Sequence, residues 1–193
     1  MRSLSLTLVL CLVLASATGA ASPEYVLDSN TAFYEGETHN YVIPRPDRFR
    51  LITDEAARDG FSFAFIPEHD SYDSASVMIT ATIYRLTEKR FDEVLTADTT
   101  ALREHYGPEL VVRPVDSVFL FNGDPTKTFY VDDKTQFIPT VMVSYCDGGS
   151  EIVIFELNIV DGGLPRFLAE SIFTRCLQHV KVLKKGQLGT DGP

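Results

Sequence analysis

Glu151-Ile152-Val153-Ile154-Phe155-Glu156-Leu157-Asn158-Ile159-Val160 is the stretch whose reading decides the fold. Val153, Phe155, Leu157 and Ile159 share one side, and Glu156 and Asn158 lie on the other. A period of two with one strongly apolar face marks an antiparallel strand half buried in a core. Just before it, Asp147-Gly148-Gly149-Ser150 is a turn cluster in which glycine can take positive φ without steric cost. Before the turn, the run from Gln136 to Cys146 is rich in β-branched and aromatic residues, with Phe137, Val141, Val143 and Tyr145 the bulkier set. Two strands around a Gly-Gly turn predict a hairpin.

Working outward, Asp161-Gly162-Gly163 ends the hairpin, and Pro165 stands where a first helical turn tolerates proline. Leu168, Ile172 and Cys176 fall four apart, with Ala169, Phe173, Leu177 and Val180 beside them. Arg166, Glu170, Arg175 and Gln178 lie off that stripe, so the spacing predicts an amphipathic helix over 165–180 that closes onto the sheet. Lys181, Lys184 and Lys185 follow at its C-terminal end, where cations oppose the helix dipole. Residues 184–193 read as a loose tail.

At the other end, Met1-Arg2 and the apolar run Leu4 to Ala15 have the form of a signal peptide cleaved after Ala17 or Ala21. The run is short for a membrane span. No second apolar run of spanning length occurs, so the expectation is an exported, periplasmic or secreted protein that does not span the membrane once cleaved. Beyond residues 1–21, residues 22–38 read as a flexible lead-in and 39–183 as one domain with a sizeable core. Residues 1–21 hold Arg2 and no acid, which leaves 16 basic against 27 acidic side chains, a net charge of −11. That balance disfavours nucleic acid as a partner, which calls for clustered Lys and Arg.

Two cysteines remain after cleavage, Cys146 at the end of the core strand and Cys176 on the stripe of the last helix. An oxidising compartment permits a disulfide between them, worth about 3 kcal/mol in the chain-entropy account. Two separately buried thiols are the other reading.

In between, Tyr41-Val42-Ile43-Pro44 reads as a short strand, Arg45 to Phe49 as a proline-bounded turn and Asp54 to Gly60 as a polar loop. Phe61 to Pro67 alternates as a strand, Glu68 to Ser76 is an acidic loop, and Val77 to Tyr84 is the next strand. Thr87 can cap a helix reaching Tyr106, with Phe91, Val94, Leu95, Leu102 and Tyr106 as its stripe. Val111 to Phe121, interrupted by Pro114, and Thr126 to Val131 complete a meander into the hairpin. Sequential strands with hairpin links mean α+β: an antiparallel sheet flanked by helices. Because the second face of the strands still carries Ile66, Met78, Ile138, Met142, Ile152 and Ile154, both faces should be covered, as in an α/β/α sandwich.

Tyr41-Val42-Ile43-Pro44 with Pro46 and Phe49, the strand Val77 to Tyr84 before an amphipathic helix, Ser144 to Gly149, and the phenylalanine-bearing last helix together resemble the Mog1/PsbP-like family. The resemblance spans Tyr41 to Leu183, and Phe49 stands where a tryptophan is more usual. It implies the α/β/α sandwich and, for function, an accessory or regulatory binding role without chemistry of its own.

Chemical motifs are sparse. The sequence has no glycine-rich phosphate loop, no Gly-x-Ser-x-Gly elbow, and no His-Glu-x-x-His, Cys-x-x-Cys or calcium-loop spacing. His69, Asp70 and Asp73 share one loop and are weak metal-ligand candidates against a plain solvated loop. His39, His105 and His179 are scattered and read as structural. Asp132 and Asp133 should face the opposite sheet end from Asp124 and Asp147, which weakens a paired-carboxylate site. No catalytic residue and no cofactor is expected. The expected function is an exported binding or accessory protein engaging an envelope or extracellular protein through a sheet edge or the region of Arg45, Asp47, Arg48 and Phe49. The alternatives are a small-ligand carrier with an aromatic cleft between helix and sheet, or a hydrolase with an acidic site.

Overall fold

The computed structural model describes residues 31–36, 38–86, 90–106, 110–115, 118, 120–121, 126–133, 140–160 and 164–184. The expected signal peptide, the tail after Lys184, the Thr87 cap and the Gln136–Pro139 start of the predicted strand lie outside these residues. In chain order the elements are β1 (Thr31–Glu35), β2 (His39–Pro44), β3 (Phe49–Ile52), α1 (Asp54–Arg58), β4 (Phe63–Pro67) and β5 (Val77–Arg85). Then come α2 (Phe91–Tyr106), β6 (Leu110–Pro114), β7 (Lys127–Asp133), β8 (Thr140–Asp147), β9 (Glu151–Ile159), α3 (Arg166–His179) and β10 (Lys181–Lys184).

Seven strands form one sheet in the order β3-β4-β5-β9-β8-β7-β6, and β1-β2-β10 form a second. Every pairing is antiparallel. The fold is therefore α+β. The deciding strand β9 lies at the centre of the large sheet, between β5 and β8, with a register irregularity between Thr140 and Met142 on β8.

Alternation along β9 sorts the core into two sides. Val153, Phe155 and Leu157 face the principal cluster, with Phe63 and Phe65 of β4, Ile79 of β5, Tyr41 of β2, and Ala169, Phe173 and Leu177 of α3. Helix α3 packs against both β9 and β2, so the stripe at 169, 173, 176 and 177 joins the two sheets. On the opposite face, Ile152 and Ile154 join Val143, Tyr145 and Val131 under Val94 and Leu102 of α2. A third cluster, Ile52, Ala56, Phe61, Ala64, Ile66, Tyr72 and Ala75, sits around α1 on the β4 end of the sheet.

Several expectations need correction. Within the lead-in, Thr31–Glu35 is strand β1, and its Ala32 is 1% exposed in the principal core. Its backbone completes the hydrogen bonding of β2, from Thr31 opposite Pro44 to Glu35 opposite Asn40. The lysine-bearing segment after the last helix is strand β10, paired on the other edge of β2 with Val182 opposite Tyr41. The polar loop over 54–60 includes helix α1, anchored by fully buried Ala56. Cys146 and Cys176 are free thiols, both buried, and the Cys176 Sγ points at the Pro44 carbonyl at 3.6 Å. Burial pushes the Cys146 thiol far up and the Cys176 thiol to about 12, so both behave as small apolar side chains.

Candidate functional site

Among the described residues, two clusters with buried carboxyl groups stand out, and neither was visible in any one stretch of sequence. The first lies where the β1–β2 hairpin meets the β8–β9 turn. Gly36 donates its N–H to the His39 carbonyl at 2.9 Å, and Gly148 donates to the Glu151 carbonyl at 2.9 Å. Gly149 takes φ 82°, which suits glycine, and its N–H bonds Asp147 Oδ1 at 2.8 Å. Beneath these turns Tyr41 is fully buried and Glu151 is 2% exposed. A Cβ at position 148 would overlap the Tyr41 hydroxyl, and one at position 36 would overlap the Glu151 carboxylate. Two glycines thus let both hairpins close over a phenol–carboxylate pair. Burial first, and then the Glu151 charge, hold the Tyr41 phenol protonated far above its ordinary range.

At the rim of this junction, Thr38 Oγ1 lies 2.7 Å from Ser150 Oγ and 2.9 Å from His39 Nδ1. The imidazole therefore reaches Ser150 only through the threonine, and the Asp147 carboxylate is engaged by the Gly149 amide. A nucleophile activated by a base needs the two side chains in direct hydrogen-bond reach. The arrangement works as a latch between the small sheet and the large one.

The second cluster lies under α2. Asp98 is 1% exposed and Glu156, on β9, is 8% exposed. The Tyr145 phenol is held protonated by burial, by the charges of Asp98 and Glu156, and by its approach to Asp98. Burial, followed by the Asp98 charge, pushes the Glu156 carboxyl up to about 7. Asp98 occupies the stripe position between Val94 and Leu102, a signal that was available in the sequence.

The residues singled out from sequence separate widely. Asp70 Oδ2 accepts from the Ser76 N–H and hydroxyl, both at 2.9 Å, and so closes its own loop. Asp73 Oδ1 stands 3.8 Å from Arg58, and His69 is exposed. The three do not converge, and no group of three or more His, Cys, Asp or Glu that could hold a metal occurs among the described residues. Phe49, offered as a partner-binding residue, is 2% exposed in the principal core, because β3 turns its ring inward beside β4. Arg45 reaches Glu68 at 3.4 Å, while Asp47 and Arg48 remain on the surface, Arg48 with φ 63°.

Asp132 is held by Arg113 from β6 and by Arg166 from the start of α3 at 3.1 Å, and Arg166 also bonds Glu170 at 2.7 Å. Its carboxyl is lowered chiefly by the Arg113 hydrogen bond. This is a cross-brace between sheet and helix, not an acid–base pair. The placement of Asp124, and of the side chains of Asp133 and His105, falls outside the described residues. His179 Nδ1 lies 2.7 Å from the Arg175 carbonyl on its own helix.

The aromatic rings expected around a ligand cleft, including Tyr41, Phe63, Phe65, Phe155 and Phe173, are fully buried against one another or against core aliphatics. The large apolar side chains left outside are Phe167 (73% exposed) and Leu168 (39%), adjacent at the head of α3, Val160 (45%) at the end of β9 and Val111 (37%) on β6. Phe121 is exposed elsewhere, under the Lys181 ammonium at 4.6 Å. Among the described residues no helix is long and apolar enough to cross a membrane.

No family model matches the chain, and no curated protein matches it in sequence. Its structure is similar to the solution structure of cyanobacterial PsbP (CyanoP) from Synechocystis sp. PCC 6803, over 86% of this chain and 97% of that one. Identity is 11% and the TM-score is 0.48, so the likeness concerns a PsbP-like fold and carries no residue role, partner or activity to this chain.

Proposed function

We propose that this chain is an exported binding or accessory protein that engages a protein partner in the cell envelope or outside it, without chemistry of its own. The observation that supports this reading is the apolar surface at the head of α3, where the adjacent Phe167 and Leu168 stand 73% and 39% exposed. Exposed aromatic and aliphatic side chains close together characterise binding surfaces, and aromatic anchors dominate their energetics. Asp132, Arg166 and Glu170 fix the helix head in place beside these side chains, so the surface is presented on a rigid element. Export rests on the pattern of Met1 to Ala21.

The test is affinity recovery from the native envelope with the wild-type chain and with Phe167→Ala. Phe167 is mostly exposed, so the substitution leaves the fold intact. The expected result is a specific protein recovered by the wild type and reduced at least about tenfold by the variant, the loss of one anchor. Equal recovery by both chains, or no protein recovered by the wild type, contradicts the reading.

A further inference from the structure

Among the described residues the two sheets end in four edge strands, β1 and β10 on the small sheet and β3 and β6 on the large one. An edge turns a row of peptide N–H and C=O groups outward, and proteins guard such rows with proline, lysine or short strands. Three of these edges carry a guard. On β6 the Val115 N–H donates to the Thr128 carbonyl, so by alternation Leu110, Val112 and Pro114 turn their peptide groups outward, and Pro114 has no N–H to offer. On β10, four residues long, Lys181 and Lys184 stand at the two ends, and the Val180 carbonyl just before it accepts from the Phe121 N–H at 3.1 Å. On β3, also four residues long, the Glu68 N–H donates to the Arg48 carbonyl, which sets Phe49 outward, and the Phe49 N–H is taken by the Pro46 carbonyl at 3.1 Å.

Strand β1 has no such guard. Gly36 donates to the His39 carbonyl, so by alternation Ala32 and Tyr34 direct their peptide groups to β2, while Thr31 and Phe33 direct theirs away. No described residue hydrogen-bonds Thr31 or Phe33 on that side. The strand holds neither lysine nor proline. Its side chains are sorted as well: Ala32 and Tyr34 pack on the principal core, and Phe33 is part-buried on the outer face beside Val42.

We infer that β1 is the contact of a twofold homodimer, in which the edges of two copies pair antiparallel about Phe33. Centred there, the register sets all five residues of one strand against all five of the other. Outward peptide groups meet outward ones, and the Phe33 N–H of each copy donates to the Phe33 carbonyl of its mate. Thr31 falls opposite Glu35, so the acids of the two copies do not oppose each other. The two Phe33 rings meet across the axis as a cross-strand aromatic pair, which stabilises a sheet. Two three-stranded sheets become one of six strands, with the unguarded edge of each closed by the other. The fit of the strand to its own reversed copy is what selects a second copy over a foreign strand. The contact lies on β1 and does not rest on the surface around Phe167.

Sedimentation of the full chain over a concentration series should give a mass that rises from one chain to two, and Phe33→Pro should remain at one. Proline suits this position, whose N–H faces away from β2. Should that variant fail to fold, Phe33→Lys, which sets two ammonium groups against each other at the axis, should also remain at one chain. Register is read by cysteine pairing in a Cys11→Ser chain, since Cys146 and Cys176 are buried. Opposed residues of a hydrogen-bonded pair have Cα atoms about 5.5 Å apart, within the reach of a disulfide. Phe33→Cys should therefore join two chains under mild oxidation, whereas Thr31→Cys and Glu35→Cys should join only when mixed. A wild type that stays single at every concentration overturns the inference and leaves the edge to a foreign strand. It is equally overturned by a dimer that survives in folded Phe33→Pro or Phe33→Lys, or by Thr31→Cys or Glu35→Cys chains that join alone as readily as Phe33→Cys.

Discussion

Gly148→Ala probes the latch between the two sheets more sharply than any other single change. Position 148 does not need a positive φ, so the substitution tests space alone. The added methyl would overlap the Tyr41 hydroxyl, with Tyr41 Cζ at 3.0 Å and the Glu151 carbonyl at 3.1 Å behind it. Tyr41 is fully buried among core side chains and cannot swing aside. Overpacking of this kind costs about 1–3 kcal/mol. Tyr41→Phe by itself removes a hydroxyl that faces Glu151 and should cost about 1 kcal/mol. In the double variant the closest overlap disappears, leaving two neighbours that must give by a few tenths of an ångström. The double variant should therefore be more stable than the sum of the single costs implies, by about 1–2 kcal/mol. Denaturant titration of the four chains, compared through their midpoints at constant slope, reads this coupling. Strict additivity of the two costs would show that the hairpin does not sit on Tyr41.

Other expectations follow from the same structure. Phe173→Ala empties a fully buried position between α3 and the sheet and should cost about 3–5 kcal/mol, measurable by thermal unfolding. Asp132→Asn weakens a partly exposed cross-brace and should cost less than about 1 kcal/mol, and less still in high salt. Since the Asp132 carboxyl is lowered in the folded state, its contribution is present above the ordinary carboxylate range and is lost as pH falls through its folded value. Glu156 has the opposite sign: its carboxyl is raised from 4.5 to about 7, so the folded state holds a proton that the unfolded state releases. Stability should therefore fall as pH rises through that window, by at most about 1.4 kcal/mol per pH unit, and Glu156→Gln should flatten the profile. A chain lacking residues 1–21, unfolded without reductant, should take up two equivalents of a thiol reagent, one each at Cys146 and Cys176, and almost none while folded. Uptake of none after unfolding would mean the thiols are bridged.

The strands of the large sheet from β4 onward were legible because each carries a recognisable apolar run, with β9 and β5 the clearest, but the pairing of β5 with β9 at the sheet's centre was not. The three strands missed, β1, β3 and β10, are four or five residues long. In each, partners far along the chain decide the structure: Lys181–Lys184 looks like the cationic end of a helix until β2 is seen to lack a partner on that edge. The second sheet was invisible for the same reason. Glu156 and Asn158 read as the solvated side of β9, yet the apolar residues beside them already called for a covered face. Those two observations together imply a buried acid. Asp98, in the middle of an apolar helical stripe, carried the matching signal on α2. The latch could not be read at all, since Gly36, Thr38 and Tyr41 lie more than a hundred residues from Gly148, Ser150 and Glu151 and only the fold unites them. Phe49 shows the reverse error: beside exposed Asp47 and Arg48 it looks like a surface anchor, but it starts a strand whose inner face is core.

The proposed role is tested most directly by a photoreactive side chain placed at position 167, activated in the native envelope, with position 103 on the exposed side of α2 as control. The account predicts one discrete adduct with a second protein at 167 and none at 103. No adduct at 167, or the same adducts from both positions, would contradict it.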